Sequence, residues 1–263
     1  MKTPDKNQKV ALVTGSDRGI GFEIARQLGR MGFLVILTSP NPSQRKKAAG
    51  LLTKAGIRVI GRPLDLLNDK QIISLRSFIV RTLGRLDVLV NNAGISFDLG
   101  MSPAEGRLLR RLKHLPRRTD YGQGPGILGA EMNIVRATLE VNTFGALKMC
   151  QAFAPLMMKA RQGRIINISS TLGQLSSMNN EDKVPAYQIS KTALNAVTRL
   201  VADAVKDYHV AVNSVCPGWT RTRLGGPDAP QSPEEAARDI VWLATRPFSF
   251  TGRFVQHRRV IKW

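Results

Sequence analysis

A chain of 263 residues with 43% hydrophobic residues is long enough to bury a core without disulfides or a structural metal. Its two cysteines, Cys150 and Cys216, lack CxxC spacing, and His114, His209 and His257 are scattered, which excludes a disulfide framework and a clustered metal site. Its 39 Lys and Arg exceed 19 Asp and Glu by 20, a balance that favours phosphorylated or otherwise anionic ligands.

Short Val/Ile/Leu runs alternate with amphipathic segments along the whole chain. The pattern predicts strands over Val10–Thr14, Leu34–Thr38, Arg58–Ile60, Leu86–Val90, Arg164–Ile168 and Ala211–Val215. Helices are predicted over Gly19–Arg30, Pro42–Ala55, Asp69–Leu83, Ile134–Ala160, Ala186–Lys206 and Pro233–Ala244. Asn41-Pro42 and Ser232-Pro233 are helix-start signals, and Glu235 completes a capping box with Ser232. Such alternation predicts an α/β fold, a doubly wound parallel sheet of Rossmann type with helices on both faces. Residues 1–263 read as a single domain, with an insertion at about 99–131. That insertion holds a basic run of Arg107, Arg110, Arg111, Lys113, Arg117 and Arg118. Aromatics are 6% of the chain and do not interleave with the arginines, so nucleic acid is not an expected partner. No apolar run approaches the roughly 18–20 residues of a membrane span. Met1–Lys9 is polar, and a cytoplasmic setting is expected.

The first strand runs into Thr14-Gly15-Ser16-Asp17-Arg18-Gly19-Ile20-Gly21. Glycines at a strand–helix junction let the backbone approach a pyrophosphate at the helix N-terminus. After the second strand comes Leu37-Thr38-Ser39-Pro40-Asn41, with no acid placed to hold a ribose 2′-hydroxyl. The missing acid favours NADP(H) over NAD, and Arg18 lies inside the turn.

Tyr187 and Lys191 stand four residues apart, on one face of a helix. An ammonium about 4 Å from a phenol, at an effective dielectric near 20, is worth about 4 kcal/mol. That is enough to bring a phenol from about 10 to about 7, poised for proton transfer.

The Gly-x3-Gly-x-Gly spacing, Asn91-Asn92-Ala93-Gly94, and Tyr187-x3-Lys191 following Ser170 together resemble the short-chain dehydrogenase/reductase family. The resemblance runs from Val10 to about Trp263 and is strongest to the carbonyl reductase and menthone/salutaridine reductase branch. It implies an NADPH-dependent oxidoreductase that reduces a ketone or aldehyde, with Tyr187 as proton donor, Ser170 on the substrate oxygen and Asn142 holding a water beside Lys191. It implies cofactor contacts from Gly15, Arg18, Gly19, Ile20, Gly21, Asp65, Leu66, Asn91, Ala93, Tyr187, Lys191, Pro217, Gly218, Thr220 and Thr222, and no metal. Pro40 departs from the branch, which often carries an arginine there; Arg45 or Lys46 could substitute. The insertion also departs, and is expected to wall the substrate pocket and to favour a monomer over a homodimer. Apolar loop residues (Phe97, Leu99, Leu172, Leu175 and Met178) point to a hydrophobic carbonyl or alcohol substrate. The alternative is a non-catalytic NADP-binding or nucleic-acid-binding protein that kept the fold, but such a binder has no need of Tyr187 and Lys191 together.

Overall fold

The computed structural model describes residues 8–99, 126–181 and 183–263. Most of the insertion, including Arg107–Arg118, lies outside the described residues. In chain order the elements are β1 (Val10–Val13), α1 (Gly19–Arg30), β2 (Leu34–Ser39), α2 (Pro42–Lys54), β3 (Val59–Pro63), α3 (Asp69–Phe78) and β4 (Val88–Asn91). Then follow α4 (Met132–Leu139), α5 (Gly145–Ala160), β5 (Gly163–Ile168), α6 (Pro185–Ala204), β6 (Val210–Val215), α7 (Pro233–Leu243), β7 (Phe254–Gln256) and β8 (Arg259–Ile261).

The strands form one sheet in the order β3-β2-β1-β4-β5-β6-β7-β8, parallel except for the final β7–β8 pair. Chain direction across the sheet reverses between β1 and β4, so a crevice opens at their carboxyl ends. Successive strand side chains point to opposite faces. Val10, Leu12, Leu34, Ile36, Leu89, Ile165 and Val212 therefore pack under one helical layer with Ile72, Met149 and Phe153. Ala11, Val13, Val35, Leu37, Val90 and Ile166 pack on the other side with Ile24, Leu28, Leu52 and Ile240. Burial on both faces explains why these strands read as continuous apolar runs.

The helix-start signals work as expected. Asn41 accepts a hydrogen bond from the Gln44 amide, and Ser232 and Glu235 form the reciprocal box. Two long predicted helices are interrupted. The Asp69–Leu83 segment ends in a π turn over Ile79–Leu83, and the Ile134–Ala160 segment is broken by another over Glu140–Phe144. The final hairpin was not expected. Its strands have three residues each, too short to show a period.

A buried polar row crosses the first of these two faces just below the crevice. Asn91, Asn167 and Ser214 are register neighbours on β4, β5 and β6. The Asn91 amide donates to Asn167 Oδ1 at 2.8 Å, and Asn167 Nδ2 donates to Thr198 Oγ1 on α6 at 2.8 Å. Thr198 in turn shares a 2.8 Å hydrogen bond with Ser214. The row clamps α6 to the sheet at a fixed height. Replacing Asn167, which is fully buried, by Leu removes a short hydrogen bond from each of Asn91 and Thr198 and leaves their remaining partners to hold them. Asn167→Leu is expected to cost about 3 kcal/mol, read as a fall of ~6–12 °C in Tm. A Tm within ~2 °C of the parent would mean the row is not a clamp.

Candidate active site

The glycine turn and the segment after β4 meet across the crevice. Thr14 Oγ1 accepts from the amides of Asn92 (2.9 Å) and Ala93 (3.0 Å). Asn92 Nδ2 donates back to the carbonyls of Thr14 (2.9 Å) and Gly15 (3.0 Å). Gly15 has φ +60°, and a Cβ there would stand 3.0 Å from the Cα and Cβ of Ala93. A Cβ on Gly21 would overlap Asn92 Nδ2 and the Gly15 carbonyl. Glycine is required at both positions. Asn92 and Thr14 thus hold the turn, a role that spacing alone did not reveal, because it depends on two loops being neighbours in the sheet. Asn91 faces away from the turn. Its side chain is buried in the polar row, so any cofactor contact falls to its backbone.

The start of α1 carries no side-chain cap, and its first turn holds no acid. Its amide ends and positive dipole end are left for an anion at the glycine turn. Two guanidinium groups are fixed beside the carboxyl end of β2. Arg18 Nη1 donates to Gln44 Oε1 at 2.7 Å, and Arg45 Nη1 donates to the Ser39 carbonyl at 2.7 Å. Asp17 is the nearby acid, largely buried and 3.5 Å from Arg18. Leu66 is buried against Gly145, and Asp65 Oδ1 accepts from the Leu67 amide at 3.0 Å, closing the turn after β3. On the loop after β6, Gly218 has φ +81°, Thr220 Oγ1 donates to the Gly218 carbonyl at 3.0 Å, and the Gln231 amide, suitably oriented, donates to the Pro217 carbonyl at 2.9 Å. That loop reaches back to the glycine turn: a Cβ on Gly19 would stand 3.5 Å from Thr222 Cγ2. The donor set, the uncapped helix end and the glycine-lined crevice fit a dinucleotide bearing an extra phosphate.

The polar side chains of α6 complete the site. Lys191 Nζ donates to the Ile168 carbonyl at 2.8 Å and lies 5.3 Å from the centre of the Tyr187 ring. The Ser170 hydroxyl hydrogen-bonds the Tyr187 phenol and accepts from the Leu172 amide at 3.2 Å. Gly173 seats this turn on α6, because a Cβ would lie 2.6 Å from the Lys191 backbone carbon. Asn142 falls in the second π turn. Its amide oxygen accepts from Ile95 N at 2.9 Å, and its nitrogen donates to the Ile95 carbonyl (2.8 Å) and Ser190 Oγ (3.0 Å). A Cβ on Gly94 would stand 3.3 Å from Asn142 Oδ1 and 3.6 Å from Lys191 Nζ, so this glycine lets the two approach one another. The sequence thus brought Asn142, Ser170, Tyr187 and Lys191 into one site.

The electrostatics correct one expectation. Burial, and secondarily the adjacent Cys216, push the Tyr187 phenol up from 10; the Ser170 hydrogen bond only partly opposes them. Burial brings Lys191 down from 10.5 to about 8, with Cys216 opposing. Lys191 points to a backbone carbonyl, and desolvation penalises both ionised forms.

A stability consequence follows. The Lys191 value is lower folded than unfolded, so its penalty is full below about pH 8 and is relieved as pH rises to 10.5. The difference corresponds to about 3 kcal/mol, against which removal loses one hydrogen bond of about 1 kcal/mol. Lys191→Met is expected to raise Tm at pH 7 by ~5 °C, with the gain shrinking toward pH 10. Thermal melts across that range check the sign; a lower Tm at pH 7 contradicts it.

Sheet order, crevice and polar constellation define a nucleotide-binding oxidoreductase of the doubly wound class. A family model described as short chain dehydrogenase matches residues 9–114 and 122–232, and the chain belongs to that family. It is 30% identical to (+)-neomenthol dehydrogenase of Arabidopsis thaliana over 97% of this chain and 98% of that one. It is 29% identical to NADPH carbonyl reductase 1 of Bos taurus, over 97% and 98%. Among solved structures, a metagenomic short-chain oxidoreductase in complex with NADP is 28% identical with a TM-score of 0.71, covering 98% of this chain and 100% of that one. Salutaridine reductase from Papaver somniferum is 26% identical with a TM-score of 0.76, covering 94% and 99%.

Proposed function

We propose that this protein is an NADPH-dependent carbonyl reductase in which Tyr187 donates the proton. The observation that carries the reading is the Ser170–Tyr187–Lys191 cluster beside a crevice built for a phosphorylated dinucleotide. NADPH, when bound, supplies the hydride. The Ser170 hydroxyl donates a hydrogen bond to the substrate carbonyl oxygen and stabilises the charge that develops there. Tyr187 Oη gives its proton to that oxygen, and Lys191 holds positive charge beneath the ring as the phenolate forms. Asn142 keeps α6 and the segment after β4 in register through Ser190 and Ile95.

The raised phenol suits reduction, which begins with the proton on Tyr187, and the lowered ammonium sets a pH limit. Carbonyl reduction is expected to hold level across neutral pH and to fall above about pH 8 as Lys191 loses its charge. Profiles of kcat against pH test this, and a rate still rising at pH 9 would sink it.

The substrate is proposed to be a hydrophobic ketone or aldehyde. Exposed Leu175 and Met178 follow Ser170, and exposed Trp219 stands on the loop after β6, at the ends of adjacent strands. The insertion at 99–131 arises at the end of β4 and is proposed as a further wall of this pocket in a monomeric protein. NADPH oxidation across aliphatic, aromatic and quinone carbonyls tests the class; no turnover with any of them would overturn the reading. Among the described residues, no helix is long and apolar enough to cross a membrane.

A further inference from the structure

Helix α6 begins without a cap of its own. Val184 stands at the capping position and offers no side-chain hydrogen bond, and Pro185 has no N–H. The first two orphan donors are therefore the amides of Ala186 and Tyr187 itself. The second is taken by a residue 89 positions away: Asp98 Oδ2 accepts from the Tyr187 amide at 2.9 Å, and the Ala186 amide faces the same carboxylate. A carboxylate at this end complements the helix dipole, and half-burial of Asp98 protects the contact from water.

Asp98 lies in a short turn over Phe97–Leu99, directly continuing the segment after β4. Asn92 and Ala93 of that segment hold the glycine turn, and Ile95 holds Asn142. One stretch of chain thus fixes the cofactor crevice and, through Asp98, the first turn of the helix that carries the phenol. We propose that Asp98 is a positioning residue for the reaction: it caps α6 across the fold and sets the backbone of Tyr187 relative to the crevice. This inference rests on the reading of Tyr187 as proton donor.

The test uses the full chain with Asp98→Ala, which removes both acceptors, and Asp98→Asn, which keeps one. Asp98→Ala is expected to lower kcat about tenfold through misplacement of Tyr187, while the Kd for NADPH, read by fluorescence titration, stays near that of the parent. Amide exchange at Ala186 and Tyr187 is expected to accelerate in the same variant, and Asp98→Asn is expected to recover most of both losses. A local cap supplied by Val184→Thr in the Asp98→Ala background should also restore slower exchange. Asp98→Ser serves in place of Asp98→Ala if the latter does not fold. Parent-like kcat in Asp98→Ala, unchanged exchange at the two amides, or Asp98→Asn no better than Asp98→Ala would each overturn the proposal. A parent chain without reductase turnover would instead remove the reading of Tyr187, and the exchange measurement would still decide whether the cap exists.

Discussion

Tyr187→Phe is expected to lower kcat for carbonyl reduction by about 1,000-fold, within the range removal of a general acid produces. The substitution keeps the ring on the face of α6 and removes only the proton and its hydrogen bond with Ser170. Because burial holds the phenol neutral, its loss takes no charge from the folded state at pH 7. Stability should change by no more than about 1 kcal/mol, the worth of one hydrogen bond. NADPH titration should return nearly the parent Kd, separating a chemical defect from a binding one. Turnover of Tyr187→Phe at the parent rate would show that another group supplies the proton.

The second large effect concerns the choice of nucleotide. Combined Arg18→Ala and Arg45→Ala is expected to weaken NADPH binding by 100-fold or more, roughly 1.5–3 kcal/mol for each charged contact to a phosphate. NADH lacks the 2′-phosphate, so its affinity should move little. The reason to invoke both residues is geometric. Pro40 offers no side-chain donor where the branch often has arginine, yet Arg45, from the first turn of α2, is anchored on the Ser39 carbonyl at the same strand end. Arg18 is held there through Gln44. Titrations of both nucleotides into the parent, the single variants and the double variant check the assignment. Equal weakening of NADPH and NADH would mean the arginines hold the turn rather than the phosphate.

Much of this site was legible because its signals are local. The Gly15–Gly21 turn, the Asn91–Gly94 segment and the Tyr187–Lys191 spacing each depend on backbone geometry within a few residues. Helix starts at Pro42 and Pro233 were readable for the same reason, since a cap acts within one turn. The π turn at Glu140–Phe144 was not, because its residues have ordinary helical character and the extra residue is enforced by Asn142 and Thr143 bonding α6. The upward shift of the Tyr187 phenol is not legible in the sequence for a related reason. Spacing gives the distance between two positions on a helix but not the carbonyl that Lys191 selects, nor the burial around them.

The sequence by itself therefore determined the class of fold, the order of strands and helices up to β6, and the residues gathered at the crevice. Periodicity and short motifs encode those features directly. Only the tertiary structure decided how the pieces support one another: Asn92 bracing the glycine turn, Arg45 standing near the missing arginine's place, and Asp98 capping α6 from 89 positions away. Such contacts form where the sheet brings distant segments side by side, and no local pattern specifies them.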